Sequence, residues 1–299
     1  MDYNYTLLIP HYNIPFLLRR LLKSVPRRDD LQVIVVDDCS SRDLDEYDKI
    51  REEYDWVEWY DTGVNGGGGK ARNIGLGHAK GKYVIFADAD DYFEKDFPTI
   101  LSEYSLKNFD IAFFKGVSRD TDSGVMSNRA DHLNRYVDMY VNGSDSDANN
   151  LRYLYGEPWC KIISKSLIDR YDIKFDETVI HNDTTFGYLT GFYAKRILVD
   201  ERKIYCVTTR KGSVSVTTSD DRILTRVEVF CRAELFFIKH KVHVRLEEHY
   251  TQLVRLFVHR RFLLLGKCVR LMRSNGFSRR YILNRCQRVF FSILRDRIG

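Results

Sequence analysis

"YVIFADADDYF", residues 83–93, starts as an apolar run and closes on Asp88, Asp90 and Asp91. Read as a buried strand, it sets three carboxylates at a strand end, where they repel one another and gain nothing from the core. Crowded acids become stable when a divalent cation neutralises them. Mg²⁺ or Mn²⁺ is typically held by one or two carboxylates, with substrate phosphates completing the shell. The plainer alternative is a solvated turn, because Asp is common where strands end.

The flanking segments say what surrounds that strand. YTLLIP (5–10), LQVIVVDD (31–38) and WVEWYD (56–61) read as strands. FLLRRLLKSV (16–25) and LDEYDKIREEY (44–54) read as helices, and GGKARNIGLGHAKG (68–81) as a helix opened by glycines. Apolar strands alternating with helices predict an α/β fold, a Rossmann-like and mostly parallel sheet covered by helices on both faces. Ligands bind such sheets at the carboxyl ends of the strands, so Asp37, Asp38, Asp88, Asp90 and Asp91 are expected around one cleft. The polar stretch 116–150 reads as loop, and HNDTTFGYLTGFY (181–193) as a capped helix with Asp183 near its start. From about residue 221 the pattern is helical, which divides the chain into a sheet-based domain (1–220) and a basic helical region (221–299).

Composition narrows the class. The chain has 299 residues, 44% of them hydrophobic, and only five prolines, which suits a folded globular protein. Its six cysteines form no CxxC pair, which argues against a zinc site or a disulfide framework and favours a reducing compartment. The N-terminal MDYNYTLLIPHYN shows no basic n-region, so no signal peptide is expected, and no run approaches the ~20 apolar residues of a membrane span. The net charge of +5 is unevenly placed: residues 251–299 carry twelve Lys/Arg against the single acid Asp296. Such a tail favours an anionic partner. By helical period, Ile282, Cys286, Val289, Phe290 and Ile293 fall opposite Arg285, Arg288 and Arg295. Basic amphipathic helices suit an anionic membrane surface; the alternative is that their apolar faces pack on the rest of the chain. No motif supports nucleic acid as the partner.

LLIPHYN, VIVVDDCS, GGKARNIGLGHAKGKYVIFADADD, EPWCKIISKSLI and HNDTTF, in this order and covering about residues 5–215, resemble the GT-A glycosyltransferases of family 2. These enzymes invert the anomeric carbon of a nucleotide-diphosphate sugar. The resemblance implies that Pro10 and Tyr12 line the base pocket, that Asp38 accepts a hydrogen bond from a uracil imide, and that Arg72 sits near the base or pyrophosphate. It places Asp88 near the ribose and Asp90 on a Mn²⁺ or Mg²⁺ ion. The family's catalytic base belongs to an acidic pair before a helix. Here the segment reads HND, so Asp183 takes the base position, Asn182 replaces the partner acid, and His181 is a neighbour or rival base. As an alternative, Asp183 is simply a helix N-cap. Trp159 and Lys161 match an acceptor-side segment, where a tryptophan face stacks on a sugar or else packs in the core. Arg210 or Lys211 is placed to reach the diphosphate.

NGGGGK (65–70) is not a Walker P-loop, since Lys70 is followed by Ala71 and position 64 is Val. Its backbone N–H groups at a helix N-terminus are still suited to phosphate. The expected protein is thus an inverting transferase moving sugar from a UDP-sugar to a glycan or lipid-linked glycan, cytoplasmic and peripheral at the inner face of a membrane. The alternatives are a nucleotidyltransferase, for which LIPHYNIPF offers no triphosphate motif, and a nucleotide-sugar-binding module without turnover.

Overall fold

The computed structural model describes residues 3–143, 145–210 and 219–298. The strands are β1 (Tyr5–His11), β2 (Leu31–Asp37), β3 (Glu58–Asp61), β4 (Tyr83–Phe86), β5 (Tyr92–Phe93), β6 (Ile111–Asp120), β7 (Lys161–Ser164) and β8 (Ile197–Thr209). Between them lie α1 (Pro15–Ser24), α2 (Leu44–Glu53), α3 (Gly67–His78), α4 (Phe97–Ser105), α5 (Asp131–Asn142), α6 (Asp145–Leu154), α7 (Lys165–Arg170) and α8 (Thr184–Tyr193). Four further helices follow: α9 (Asp220–Lys239), α10 (Glu248–Val258), α11 (Phe262–Ser274) and α12 (Arg279–Ile298).

The strands form one mixed sheet in the order β3-β2-β1-β4-β7-β6-β8-β5. Its first four strands are parallel, with Pro10 opposite Val36 and Leu8 opposite Phe86. β7 reverses direction between β4 and β6, and β8 returns parallel to β6. Every residue of β2 is buried, which explains its unbroken apolar run: a parallel strand covered on both faces has no solvent side for polar residues. Each of Val33, Ile34, Val35 and Val36 in that position contributes roughly 1.5–3 kcal/mol by leaving water.

Two sequence expectations change here. The polar stretch 116–150 is not mainly loop: β6 runs on to Asp120, and α5 and α6 follow. Leu133, Tyr136, Val137 and Tyr140 carry the helical spacing of α5, and they turn inward while Asp131, Arg135 and the other charged side chains face water.

The C-terminal helices also bury more than the basic pattern suggested. Ile282 and Val289 of α12 pack into a separate core with Val227, Cys231, Tyr250, Leu253, Cys268 and Met272. Arg285, read as part of the basic face, bends inward: it donates to the Leu246 carbonyl (2.9 Å) and covers the Tyr250 ring. There it lies 3.7 Å from Glu234, whose buried carboxylate also accepts from His249 (2.9 Å), Tyr250 (2.7 Å) and Tyr281 (2.8 Å). This group ties α9, α10 and α12 together. A smaller cluster of Tyr188, Ala233, Phe237 and Leu246 fastens α8 to the helices beyond it.

Candidate active site

β2, β1 and β4 run parallel, so the residues that follow them meet at one edge of the sheet. Pro10 and the half-exposed Tyr12 lie at the end of β1, and the Asp38 N–H donates to the His11 carbonyl (2.8 Å). Asp37 is a bracket: it accepts from His11 Nδ1 (2.7 Å) and from the Ser40 N–H and hydroxyl (2.8 and 2.6 Å). Asp38 accepts from the Gly66 and Gly67 N–H groups (2.8 and 2.7 Å) and the Thr62 hydroxyl (2.9 Å). The Gly66 and Gly67 N–H groups are therefore already bonded to Asp38, which narrows the expectation from NGGGGK to the N–H groups that follow them. A carboxylate has about four acceptor sites, which leaves Asp38 room for one further donor.

Glycine is required in this loop. Gly67 has φ +81°, and a Cβ on Gly69 would collide with the Asp176 carbonyl oxygen and crowd Asn182. Gly69 thus lets α3 press against the segment that carries Asp183. Gly69→Ala should lower stability by about 1–3 kcal/mol, the usual cost of overpacking against backbone, measured by urea unfolding; an unchanged midpoint would show that the segment yields freely.

The three acids after β4 divide their work. Asp91 is buried, accepting from the Tyr205 hydroxyl (2.9 Å) and the Thr208 N–H (2.7 Å). Its carboxyl sits well above the usual range because of burial, then the charges of Asp90 and Asp88. The same Tyr205 hydroxyl accepts from the Asp88 N–H (2.8 Å). The Asp90 carbonyl accepts from the Thr208 hydroxyl (2.5 Å) and from Arg20. Held in this way, the turn leaves the Asp88 and Asp90 side chains partly exposed.

Burial, then the Asp88 charge, raises the Asp90 carboxyl, with Arg210 opposing from 3.5 Å. Lys211 lies outside the described residues. Among the described residues no three His, Cys, Asp or Glu side chains form a ready-made metal cage. The Asp88–Asp90 pair does fit an ion shared with phosphate: its donors are hard oxygens, and the repulsion between the two carboxylates, which Arg72 and Arg210 offset from either side, would be further relieved by a cation.

Arg72 joins this turn to the opposite wall. Its guanidinium, buried over the Phe175 ring, donates to Asp88 and to the Asn182 side-chain oxygen (3.1 Å). Asn182 is thereby the neighbour of Asp183 and a partner of Arg72 at once. Asp183 precedes α8, and its carboxylate makes no capping hydrogen bond. The cap alternative fails on that point. Burial, then the nearby Glu157 charge, pushes the Asp183 carboxyl up to about 6, against a lowering pull from Arg72.

Glu157, absent from the sequence-derived set, lies in the same cavity as Asp183. Burial presses its carboxyl upward, but the His132 contact (3.3 Å), the His132 charge and the nearby Lys161 together hold it below the usual glutamate range. Two neighbouring carboxyls driven apart in this way can serve as one charged and one proton-exchanging group. The only hint in the sequence was its place at the head of EPWCK.

His181 is a poor rival base. Arg226 Nε donates to its Nε2 (2.9 Å), and burial, then the Arg226 charge, lowers it to about 4. Trp159 is corrected outright: 4% exposed and stacked on Tyr205, it packs in the core instead of presenting a face to sugar. Lys161 is buried beside it, donates to the Tyr155 carbonyl, and is lowered to about 7 by burial.

The family model described as "Glycosyl transferase family 2" matches residues 6–172. The chain belongs to that family. Poly(ribitol-phosphate) beta-N-acetylglucosaminyltransferase TarS of Staphylococcus aureus is 27% identical to it over 92% of this chain and 46% of TarS. Glycosyltransferase GlyA of Streptococcus pneumoniae is 26% identical over 72% of this chain and 32% of GlyA. The chain spans about half the length, or less, of these curated relatives. Among solved structures, TarS 1–349 in complex with UDP-GlcNAc superposes with a TM-score of 0.60 at 22% identity, covering 92% of this chain and 74% of that one. Mannosyltransferase PcManGT from Pyrobaculum calidifontis, in complex with GDP-Man and Mn²⁺, gives 0.52 at 15% identity, covering 98% and 81%. The family 2 chain thus has the GT-A fold, with helices appended after it.

Proposed function

We propose that this family 2 chain transfers a sugar, with inversion, from a UDP-sugar to a hydroxyl of a glycan or lipid-linked glycan, in the making of a cell-surface polysaccharide. One observation carries the reading: Arg72 bridges Asp88, on the strand-end turn, and Asn182, next to Asp183. A donor's diphosphate and an acceptor's hydroxyl would then meet across a single guanidinium. Tyr12 and Pro10 offer apolar surface to the base, and Asp38 its spare acceptor site to an imide N–H. Asp90 and Asp88 would hold Mn²⁺ or Mg²⁺, which when bound supplies Lewis-acid stabilisation of the leaving diphosphate. Arg210, beside Asp90, would counter charge on the same phosphates.

Asp183 removes the proton from the attacking hydroxyl. At neutral pH a group near 6 is mostly ionised yet basic enough to accept it. One displacement opposite the diphosphate inverts the anomeric carbon. The TarS structure that holds UDP-GlcNAc supports a UDP-sugar as the donor. Purified protein should release UDP slowly from a UDP-sugar when Mn²⁺ is added. Binding without turnover across a broad acceptor screen would favour the binding-module alternative.

The proposal includes a peripheral site at the cytoplasmic face of an anionic membrane. No helix among the described residues is long and apolar enough to cross a membrane. At the α10–α11 corner, however, Phe257, Val258, Phe262 and Leu263 are exposed, the last by 90%, beside Arg255, Arg260 and Lys267. Exposed aromatics ringed by cations suit a lipid interface. Full-length protein should float with vesicles containing phosphatidylserine, and a Phe257→Ser/Phe262→Ser/Leu263→Ser variant should float at least tenfold less. Equal flotation would remove the membrane from the proposal.

A further inference from the structure

A cavity of about 490 Å³ opens beside Asp183 and is walled by both parts of the chain. α5, α6 and α8 supply Tyr136, Tyr153 and Tyr188, while Phe230 and Phe237 of α9 and the Leu246–Glu248 approach to α10 close the other side. The C-terminal helices therefore shape the space from which an acceptor would approach the proposed base.

The chemistry of the walls is selective. Tyr136, Tyr153 and Phe230 are partly exposed rings, and flat apolar faces of this kind match the C–H faces of sugars. Four carboxylates, Glu157, Asp183, Glu247 and Glu248, line the same space. Most of the cations nearby are engaged. His132 contacts Glu157, and Arg226 contacts both His181 and Glu248 (3.6 Å). Arg245 remains, exposed at the rim. Phosphodiester recognition calls for cations able to fork onto its oxygens, and like charges brought together across an interface are costly.

Resting on the transferase reading above, we infer that this cavity is an acceptor subsite for an uncharged glycan, excluding polyol-phosphate and uronate chains, and that Phe230 of α9 is one of its stacking platforms. The acceptor named for the TarS relative, a poly(ribitol-phosphate), is of the excluded kind.

An array carrying neutral oligosaccharides, uronate-containing oligosaccharides and ribitol-phosphate or glycerol-phosphate oligomers tests this on the full-length protein. Binding should be confined to neutral glycans and fall at least tenfold in Phe230→Ala and in Tyr136→Ala, provided each variant melts within a few degrees of the parent. A double change, Glu247→Lys with Glu248→Lys, should gain binding to the phosphate oligomers. Binding of the parent to phosphate or uronate chains, failure to bind any neutral glycan, or full binding by both aromatic variants would overturn the inference. Loss of the transferase reading shows separately, as UDP release unaffected by Asp183→Asn.

Discussion

Asp183→Asn should lower the rate of sugar transfer by about 10²–10⁴-fold, the usual contribution of a positioned general base, while the protein melts at the same temperature or higher. The two halves of that result come from one cause. The fold holds this carboxyl at about 6, raised by burial and then by Glu157. A raised acid is favoured in its neutral form, so its contribution to stability is complete below the unfolded value and disappears as pH climbs to about 6. At pH 7 the buried charge is a burden, and a neutral amide should relieve on the order of 1 kcal/mol, discounted for the partial exposure of the site. At pH 4 that advantage should vanish. Turnover by the parent should rise as pH passes through about 6, because the base must be ionised. Glu157→Gln should carry this limb to lower pH by removing the negative neighbour. A pH–rate profile unchanged in Glu157→Gln, or a fully active Asp183→Asn, would place the base elsewhere.

Asp90→Ala should cost about 10³-fold in Mn²⁺-dependent UDP release, a few kcal/mol being the typical share of a Lewis acid on a leaving oxyanion. UDP with Mn²⁺ should raise the melting temperature of the parent, and Asp90→Ala should abolish that rise, a readout that needs no acceptor. Asp91→Ala is the contrasting case. Its carboxylate holds the Tyr205 hydroxyl and the Thr208 N–H, so its loss should appear first as instability, about 1–3 kcal/mol for stranded buried partners. If Asp90→Ala keeps the ligand-induced shift, the ion is bound by other residues.

Much of this site could be read before any coordinates. VIVVDD and YVIFADADD each announce a buried parallel strand and an acid at its end, because strand burial and cleft position both leave their mark on neighbouring residues. What the sequence withheld were contacts between distant segments. Nothing in ADADD says that Asp91 faces inward to Tyr205 while Asp90 stays open, since that choice is made by β8, more than a hundred residues on. Glu157 and Asp183 meet only after α6, β7 and α8 have packed. Arg285 looked like surface charge because helical period reports which side a residue is on, and not whether a long side chain curls back to Glu234. The helix α5, by contrast, had its apolar spacing in plain view, obscured by the polar residues around it.

The hydroxyl of Tyr205 limits how far the chain can be shortened. It grips the Asp88 amide and the Asp91 carboxylate together, yet it lies 33 residues past the point where the family match stops at 172. A fragment trimmed to that match would keep every acid of the strand-end turn and lose the peg on which the turn hangs. If the chain binds a nucleotide-sugar as proposed, the shortest piece expected to do so runs through the whole of β8.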